Sequence, residues 1–230
     1  MRPRDDDAGT ADPMLEALAA ARQHRSRDGR RIDALRPVDL VVRRGAWVTV
    51  TGPSGAGKTT LLWLLAGLDR PTSGRVRLAG EDIQDASEGR LARLRRRLGL
   101  VFQDAPMLRR MTAWENVACP LVPRGVAASE RRARALALLG RVGLEDRSEA
   151  RPEELSAGER QRVGVARALV ADPEILIADE PTSQLDRASA ERVVRVLREA
   201  HAAGATVVVA THDPVLLEGA SLVLRLERVS

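Results

Sequence analysis

The chain has 230 residues, which is enough for one large domain, with or without a small subdomain. Its formal net charge is +5, but the basic residues are nearly all arginines scattered among Asp and Glu, and aromatic residues make up only 2% of the chain, so we expect no nucleic-acid surface with base-stacking platforms. The single cysteine excludes a disulfide framework and a cysteine-based metal cluster.

The first residues are polar and predict a flexible lead-in over residues 1–20, followed by one domain over residues 21–230. Residues 1–13 are acidic and lack the apolar core of a signal peptide. No apolar run approaches the roughly 20 residues that a membrane-spanning helix needs. We therefore expect a soluble, cytoplasmic chain.

Runs with strand and helix periodicity alternate along the domain. In chain order they predict strands at 38–42 and 47–51, a helix at 58–68, a strand at 75–78, a helix at 88–98, a strand at 100–102, helices at 112–118, 129–142 and 158–170, a strand at 175–178, a helix at 187–202, a strand at 206–210, a short helix near Pro214 and a strand at 222–226. This order indicates an α/β fold with helices flanking the sheet. The helical stretch 103–157 predicts an inserted α-helical subdomain.

A glycine-rich loop lies between the predicted strand 47–51 and the predicted helix 58–68. It fits the pattern G-x-x-x-x-G-K-[S/T], in which glycines let successive backbone N–H groups point at phosphates and the following helix adds its positive end. A Gly-rich turn before a helix is the plainer alternative, but the apolar strand before the loop favours a nucleotide site. The residues expected to contact the nucleotide are Gly52, Pro53, Ser54, Gly55, Ala56, Gly57, Lys58, Thr59 and Thr60.

Lys58 is the only lysine in the chain, and all the other side chains that are positively charged at pH 7 are arginines. A lysine kept at this position suggests a site that needs a compact point charge rather than a planar guanidinium. We expect Lys58 to take part in catalysis by reaching the β- and γ-phosphates, and the Thr59 hydroxyl to bind Mg²⁺.

Two carboxylates, Asp179 and Glu180, directly follow the wholly apolar strand 175–178. The carboxyl ends of parallel strands form the edge at which ligands bind. We expect Asp179 to hold Mg²⁺, directly or through water, and Glu180 to polarise the attacking water. Asp-Glu-Pro alone could be a polar turn, but the phosphate loop favours the catalytic interpretation.

The stretch Leu155-Ser156-Ala157-Gly158-Glu159 resembles the signature motif of ABC-type ATPases, and its spacing from the phosphate loop and the acidic pair also matches. The resemblance covers roughly residues 30–226 and is closest to export-type, lipoprotein-release and cell-division ATPases. It implies a P-loop NTPase fold, with a mixed sheet core flanked by helices and a small antiparallel β part. It also implies a head-to-tail dimer, in which Ser156 and Gly158 of one subunit cap the γ-phosphate of ATP held by the other.

Three further residues take their roles from this resemblance alone. Gln103 matches the glutamine that senses Mg²⁺ and water and links to a membrane partner. His212 matches the switch histidine that contacts the γ-phosphate during catalysis, and Asp186 matches the aspartate that communicates across the dimer. A lone Gln or His after a strand carries little signal, and it is their order among the motifs that favours these roles.

The sequence departs from the family pattern at three places. Ala157 replaces the first signature glycine and Glu159 replaces the usual glutamine. The aromatic residue that stacks on adenine is missing, and the aligned region offers His24 and Arg25 instead. We expect Arg25 or His24 to stack by its planar group, with weaker base discrimination than an aromatic ring gives.

The implied function is the ATP-binding and ATP-hydrolysing subunit of an ABC transporter. The implied partners are a second copy of the subunit and an integral membrane permease, which would hold the chain at the inner face of the membrane for export, lipoprotein release or mechanotransmission. An ABC-type ATPase acting on nucleic acid or ribosomes is the alternative. Only 98 residues separate Lys58 from Ser156, which leaves no room for the long coiled coil of that class. A small-molecule kinase would share the phosphate loop but would have no use for the signature motif.

Overall fold

The computed structural model describes residues 12–25 and 30–228, which form two sheets flanked by helices. The strands are β1 (Pro13–Arg25), β2 (Arg31–Arg43), β3 (Trp47–Thr51), β4 (Ser73–Leu78), β5 (Glu81–Asp82), β6 (Leu98–Val101), β7 (Ile175–Asp179), β8 (Thr206–Ala210) and β9 (Leu222–Arg225). The helices are α1 (Lys58–Leu65), α2 (Glu88–Arg95), α3 (Ala113–Ala118), α4 (Ala128–Arg141), α5 (Ala157–Leu169), α6 (Arg187–Ala202) and α7 (Pro214–Leu217).

The smaller sheet is antiparallel, in the order β2-β1-β4-β5. Its first strand corrects the predicted lead-in over residues 1–20, because residues 13–20 belong to β1; residues 1–11 lie outside the described part of the chain. Met14, Leu15 and Ala17 are buried there. The strand was missed because it is rich in alanine, which has a low strand propensity, so pairing with β2 and β4 decides its conformation.

The larger sheet is parallel, in the order β6-β7-β8-β3-β9. Strands β7 and β8 are buried along their whole length, as expected for a sheet covered on both faces. Alternate residues of β7 enter different cores: Ile175 and Ile177 pack with α1 and the antiparallel sheet, whereas Leu176 and Ala178 pack with α3 to α6. The carboxyl ends of these strands therefore share one edge, with hydrophobic layers holding them on both sides.

The predicted helices and strands are observed with shifted ends. Helix α1 ends at Leu65 rather than 68, because Gly67 adopts a left-handed conformation with φ 63°. Strand β6 covers Leu98–Val101 rather than 100–102. Residues 103–157 hold α3, α4 and short 3₁₀ segments, and no helix among the described residues is long and apolar enough to cross a membrane.

Candidate active site

An open cleft of about 800 Å³ lies at the carboxyl edge of the parallel sheet, where β3, β7 and β8 end. This is the edge at which α/β sheets bind ligands. Most of the residues that were predicted separately along the chain meet here. The cleft is lined by Asp33, Ala34, Ser54, Gly55, Ala56, Gly57, Lys58, Thr59, Thr60, Gln103, Asp179, Glu180, Thr182, Ser183, Thr211, His212 and Asp213.

The loop between β3 and α1 follows a path that only glycine permits at two points. A Cβ on Gly52 would lie 2.4 Å from the carbonyl oxygen of Leu226, and one on Gly57 would lie 2.5 Å from that of Ala34. Gly57 also has φ 92°, in the left-handed region. Helix α1 begins at Lys58 without a side-chain cap and without an acidic residue in its first turn. Its first N–H groups therefore remain available to an anion.

Lys58 points across the mouth of this loop. Its Nζ donates a hydrogen bond to the Gly52 carbonyl at 2.8 Å and lies 3.0 Å from Nε2 of His212. An ammonium has three donors, so one remains for a phosphate oxygen in this geometry. The position of Lys58 at the start of α1 follows from the loop, as the sequence pattern predicts.

Thr59 and Asp179 bring two oxygen atoms together on the floor of the cleft. The Thr59 hydroxyl donates to Oδ2 of Asp179 at 2.6 Å. Asp179 is only 5% exposed, and this burial raises the pKa of its carboxyl, opposed by the Thr59 hydrogen bond and the charge of Lys58. A hydroxyl and a carboxylate are hard oxygen ligands of the kind that Mg²⁺ prefers, so the residues present fit this ion.

Glu180 stands beside Asp179 in a backbone conformation that is rare for a non-glycine residue, with φ 45°. Its N–H donates to the Ala210 carbonyl at 2.8 Å, which ties the turn to the end of β8. The side chain is 14% exposed, and its Oε1 lies 3.6 Å from Nε2 of His212. Backbone strain held by the surrounding structure is a common feature of active sites, and here it aims a carboxylate into the cleft.

Gln103 follows β6 and precedes the helical stretch of the chain. Its backbone carbonyl accepts hydrogen bonds from a side chain on α5 and from one in the loop before α6. The amide of Gln161 on α5 is fully buried and, oriented to satisfy its donors, it bonds the carbonyls of Phe102 and Gln103 at 3.3 and 3.1 Å. Gln184 donates to the same Gln103 carbonyl at 3.4 Å. Sequence reasoning gave Gln161 no role, and its only signal was a polar residue on the buried face of a helix.

Ser156, Gly158 and Asp186 do not line this cleft. Ser156 caps α5: its Oγ accepts from the Glu159 N–H at 3.2 Å, and the Glu159 carboxylate accepts from the Ser156 N–H at 2.8 Å. These bonds from Ser156 lower the pKa of Glu159. Asp186 caps α6 by accepting from the Ser189 N–H at 3.0 Å and from the Ser189 hydroxyl at 2.8 Å, and these bonds lower the pKa of its carboxyl. Within one subunit, Ser156 therefore caps the N-terminus of α5 outside the cleft that contains the phosphate loop.

His24 and Arg25 are at the exposed end of β1, and neither belongs to the cleft lining among the described residues. The wall on that side is formed by Asp33 and Ala34 of β2, which sequence reasoning overlooked. Their signal was weak because nothing in the residue pattern placed β2 against the phosphate loop.

Comparison with known proteins gives three similarities. The family model described as "ABC transporter" matches residues 35–183. The lipoprotein-releasing system ATP-binding protein LolD of Chromohalobacter salexigens is 45% identical over 199 residues, covering 86% of this chain and 84% of that protein. The macrolide export ATP-binding/permease protein MacB 1/2 of Paracoccus denitrificans is 44% identical over 208 residues, covering 90% of this chain but only 31% of that protein.

A solved structure shares the fold. The dimeric structure of a post-hydrolysis state of the ATP-binding cassette MJ0796 bound to ADP and Pi has a TM-score of 0.89 and 34% sequence identity, and the match covers 94% of this chain and 97% of that chain. The arrangement of sheets and helices described above is therefore that of a known dimer-forming cassette.

Proposed function

The chain belongs to the ABC transporter family as one of its ATP-binding, ATP-hydrolysing subunits, and from that premise we propose that it works with Mg²⁺ as a head-to-tail homodimer that drives a separate membrane permease. The observation that carries the proposal is the meeting of Lys58, the Thr59–Asp179 pair and Glu180 in one cleft. These groups supply phosphate binding, metal ligands and a base for water, which are the parts that phosphoryl transfer needs.

Each side chain has a defined part in hydrolysis. The loop N–H groups and Lys58 hold the β- and γ-phosphates, and a bound Mg²⁺ on Thr59 and Asp179 would neutralise the charge that develops on them. Glu180 accepts a proton from the attacking water, and His212, whose Nε2 lies 3.6 Å from the Glu180 carboxylate, contacts the γ-phosphate beside it. Gln103 lines the same cleft, where its side chain would contact a bound Mg²⁺ and the attacking water.

The second half of the site comes from the partner subunit. Ser156 is exposed at the N-terminus of α5, where the helix end can meet a negatively charged γ-phosphate across the dimer. Gly158 is close-packed within its own subunit, since a Cβ there would lie 3.1 Å from the Gln184 carbonyl. Asp186 lies at the adjoining exposed turn, where it would communicate between the two sites. The dimeric state of MJ0796 supports this arrangement.

The proposed membrane partner is an integral permease, which would keep the chain at the inner face of the cell membrane. The names of LolD and MacB support a role in lipoprotein release or export. Mechanotransmission through a membrane partner is a third role that the proposal includes. Leu108 and Met111, which follow Gln103 in the sequence, are exposed apolar side chains of the kind that a contact surface for a partner uses. Neither of these two relatives carries a name that supports the nucleic-acid or ribosome alternative.

The test of hydrolysis is phosphate release from ATP by the purified chain with and without EDTA. We expect turnover that disappears when Mg²⁺ is removed and in Lys58→Ala, but not in Arg93→Ala, which changes an exposed cation on α2 outside the cleft. Turnover that persists in Lys58→Ala would contradict the assignment. Membrane coupling is tested by co-expressing the chain with a candidate permease from the same genome. We expect the chain to be recovered in washed membranes only when its permease is present, and recovery that does not depend on any permease would contradict the coupling.

A further inference from the structure

The nucleotide cleft carries a carboxylate at the end where the base must lie, and we propose that Asp33 reads guanine, so that the site binds GTP more tightly than ATP. The inference rests on the proposed function, because it concerns the same cleft and the same phosphate loop.

The position of the base follows from the two ends of the cleft. Asp179, Glu180 and His212 occupy the end at which the γ-phosphate reacts. At the other end, Gly57 is pressed against β2, since a Cβ there would lie 2.5 Å from the Ala34 carbonyl. Beyond the phosphate loop on this side, the wall of the cleft consists of Ala34 and Asp33. A nucleotide with its phosphates in the loop therefore directs its base toward Asp33.

A neighbouring side chain fixes the Asp33 carboxylate. Gln23 and Asp33 are directly paired across β1 and β2, and Gln23 Nε2 donates to Oδ1 of Asp33 at 2.8 Å. A carboxylate offers about four lone-pair sites on its two oxygens, so this single bond orients the group and leaves most of its capacity as an acceptor. The wall thus presents a positioned acceptor to the edge of the base.

The two purines differ in what they offer to such an acceptor. Guanine presents the N1–H and an N2 amino hydrogen side by side, and the two carboxylate oxygens can accept both in a bidentate contact. Adenine presents one amino group beside N1, whose lone pair faces the carboxylate unfavourably. A site that offers two acceptors favours the ligand that supplies two donors, because the other ligand leaves an acceptor unpaired.

Stacking does not override this preference. No Phe, Tyr or Trp is among the described residues that line the cleft. Arg25 lies two residues beyond Gln23 on β1 and therefore on the same face of the strand, which makes it the better placed of the two predicted stacking residues. Stacking on a planar group is tolerant of base identity. Discrimination between purines then depends on hydrogen bonds to the base edge.

The experiment measures the affinity of the purified full-length chain for GTP, inosine triphosphate, ATP and xanthosine triphosphate. For the wild type we expect GTP to bind about 5- to 10-fold more tightly than ATP, at the low end for bidentate base recognition because Asp33 is exposed to water. Inosine triphosphate lacks the N2 amino group and should fall between the two. In Asp33→Asn the GTP preference should disappear, and xanthosine triphosphate should gain affinity, because the amide pairs with its N1–H and its O2.

The control is Asp39→Asn, the same substitution on the same strand outside the cleft. Asp39 accepts the Ala19 N–H through Oδ1 at 2.7 Å, and asparagine keeps that oxygen. This variant should show the wild-type order of affinities. Equal or tighter binding of ATP in the wild type, or an unchanged GTP-to-ATP ratio in Asp33→Asn, overturns the assignment of Asp33 while leaving the nucleotide site intact. Absence of binding by all four nucleotides would instead overturn the proposed function, and this inference with it.

Discussion

Lys58 and His212 are in hydrogen-bond contact across the cleft, with Nζ 3.0 Å from Nε2. An ammonium can only donate, so Nε2 of His212 is the acceptor in this contact. The same Nε2 lies 3.6 Å from the Glu180 carboxylate. His212 therefore stands between the lysine that binds phosphate and the carboxylate that activates water. The third donor of Lys58 is left for a phosphate oxygen, so an entering triphosphate would meet the lysine beside His212.

Replacing Lys58 by arginine tests whether the site needs a compact charge. The planar guanidinium is larger and its donors point in a fixed fork, so it cannot occupy the place between the Gly52 carbonyl and His212. We expect the affinity for ATP to fall by about tenfold or more, because one charge-assisted hydrogen bond to the phosphates is lost. Titration with a fluorescent ATP analogue measures this.

The single lysine offers an independent readout of the same site. An amine-reactive reagent can label only Lys58 and the N-terminal amine, and bound ATP should protect Lys58 from labelling. Wild-type affinity in Lys58→Arg, together with labelling that ATP does not slow, would contradict the placement of the phosphates in this loop.

Glu180→Gln should separate binding from chemistry. The amide keeps the shape of the side chain but cannot take a proton from water, so we expect hydrolysis to fall by about 100-fold or more, as for the loss of a general base. ATP affinity should remain close to that of the wild type, and light scattering with ATP should show a trapped dimer. Glu218→Gln, an exposed carboxylate after α7, is the control and should leave turnover unchanged. A purely monomeric Glu180→Gln with ATP would count against the dimer.

The sequence predicted the parts of the site that follow from local pattern. The phosphate loop, Thr59, Asp179 and Glu180 each stand directly after an apolar strand or at the start of a helix, and parallel strands bring such positions to one edge. Because every parallel strand ends at the carboxyl edge of the sheet, residues more than 100 positions apart could be assigned to one cleft from the sequence alone.

The sequence did not predict the wall of the cleft that β2 forms, or the strand β1 that pairs with β2. Three of the five buried positions of β1 are alanines, Ala17, Ala20 and Ala21, and alanine gives little strand signal. The placement of Asp33 depends on the tertiary contact between Gly57 and β2. Such a contact produces no periodic pattern in the sequence from which it could be predicted. Gln161 was overlooked for a related reason, since its hydrogen bonds to the carbonyls at Phe102 and Gln103 depend on how α5 packs against β6.

Glu174 should make part of the stability pH-dependent. Arg97 donates to it through Nε at 2.9 Å and Nη2 at 2.7 Å, and these bonds, aided by Arg44, lower the pKa of Glu174 below its ordinary value of 4.5. A lowered pKa stabilises the fold above the unfolded value and loses this contribution as the pH falls through the folded one. Glu174→Gln should therefore reduce the free energy of unfolding at pH 7, by at most about 1 kcal/mol because the pair is partly exposed.

Urea unfolding at several pH values checks this. The difference between wild type and Glu174→Gln should persist from pH 7 to about pH 5 and then vanish as the pH falls further below the ordinary Glu range. Glu153→Gln, an exposed carboxylate in a 3₁₀ segment, is the matched control and should follow the wild type throughout. A difference between wild type and Glu174→Gln that grows in acid would have the wrong sign for a carboxyl with a lowered pKa.

Mixing two inactive variants tests whether each site is shared between subunits. Lys58→Ala removes phosphate binding, and Ser156→Asp keeps the α5 cap, because Asp caps a helix as well as Ser, while placing a negative charge against the γ-phosphate of the partner. Each variant alone should be inactive. In a head-to-tail dimer of one copy of each, both defects fall in one site and the other site is intact. With random pairing, phosphate release should recover to about a quarter of the wild-type rate, since half of the dimers are mixed and each has one working site.

A second mixture separates this result from nonspecific recovery. Lys58 and Glu180 line the same cleft of one subunit, so Lys58→Ala mixed with Glu180→Gln leaves one defect in each site of a mixed dimer. This mixture should show no recovery of phosphate release, although it also combines two different inactive variants. Recovery in both mixtures would point to exchange or contamination. Recovery in neither, with both proteins folded and dimeric, would mean that Ser156 does not act on the nucleotide of its partner, because only a shared site distinguishes the two mixtures.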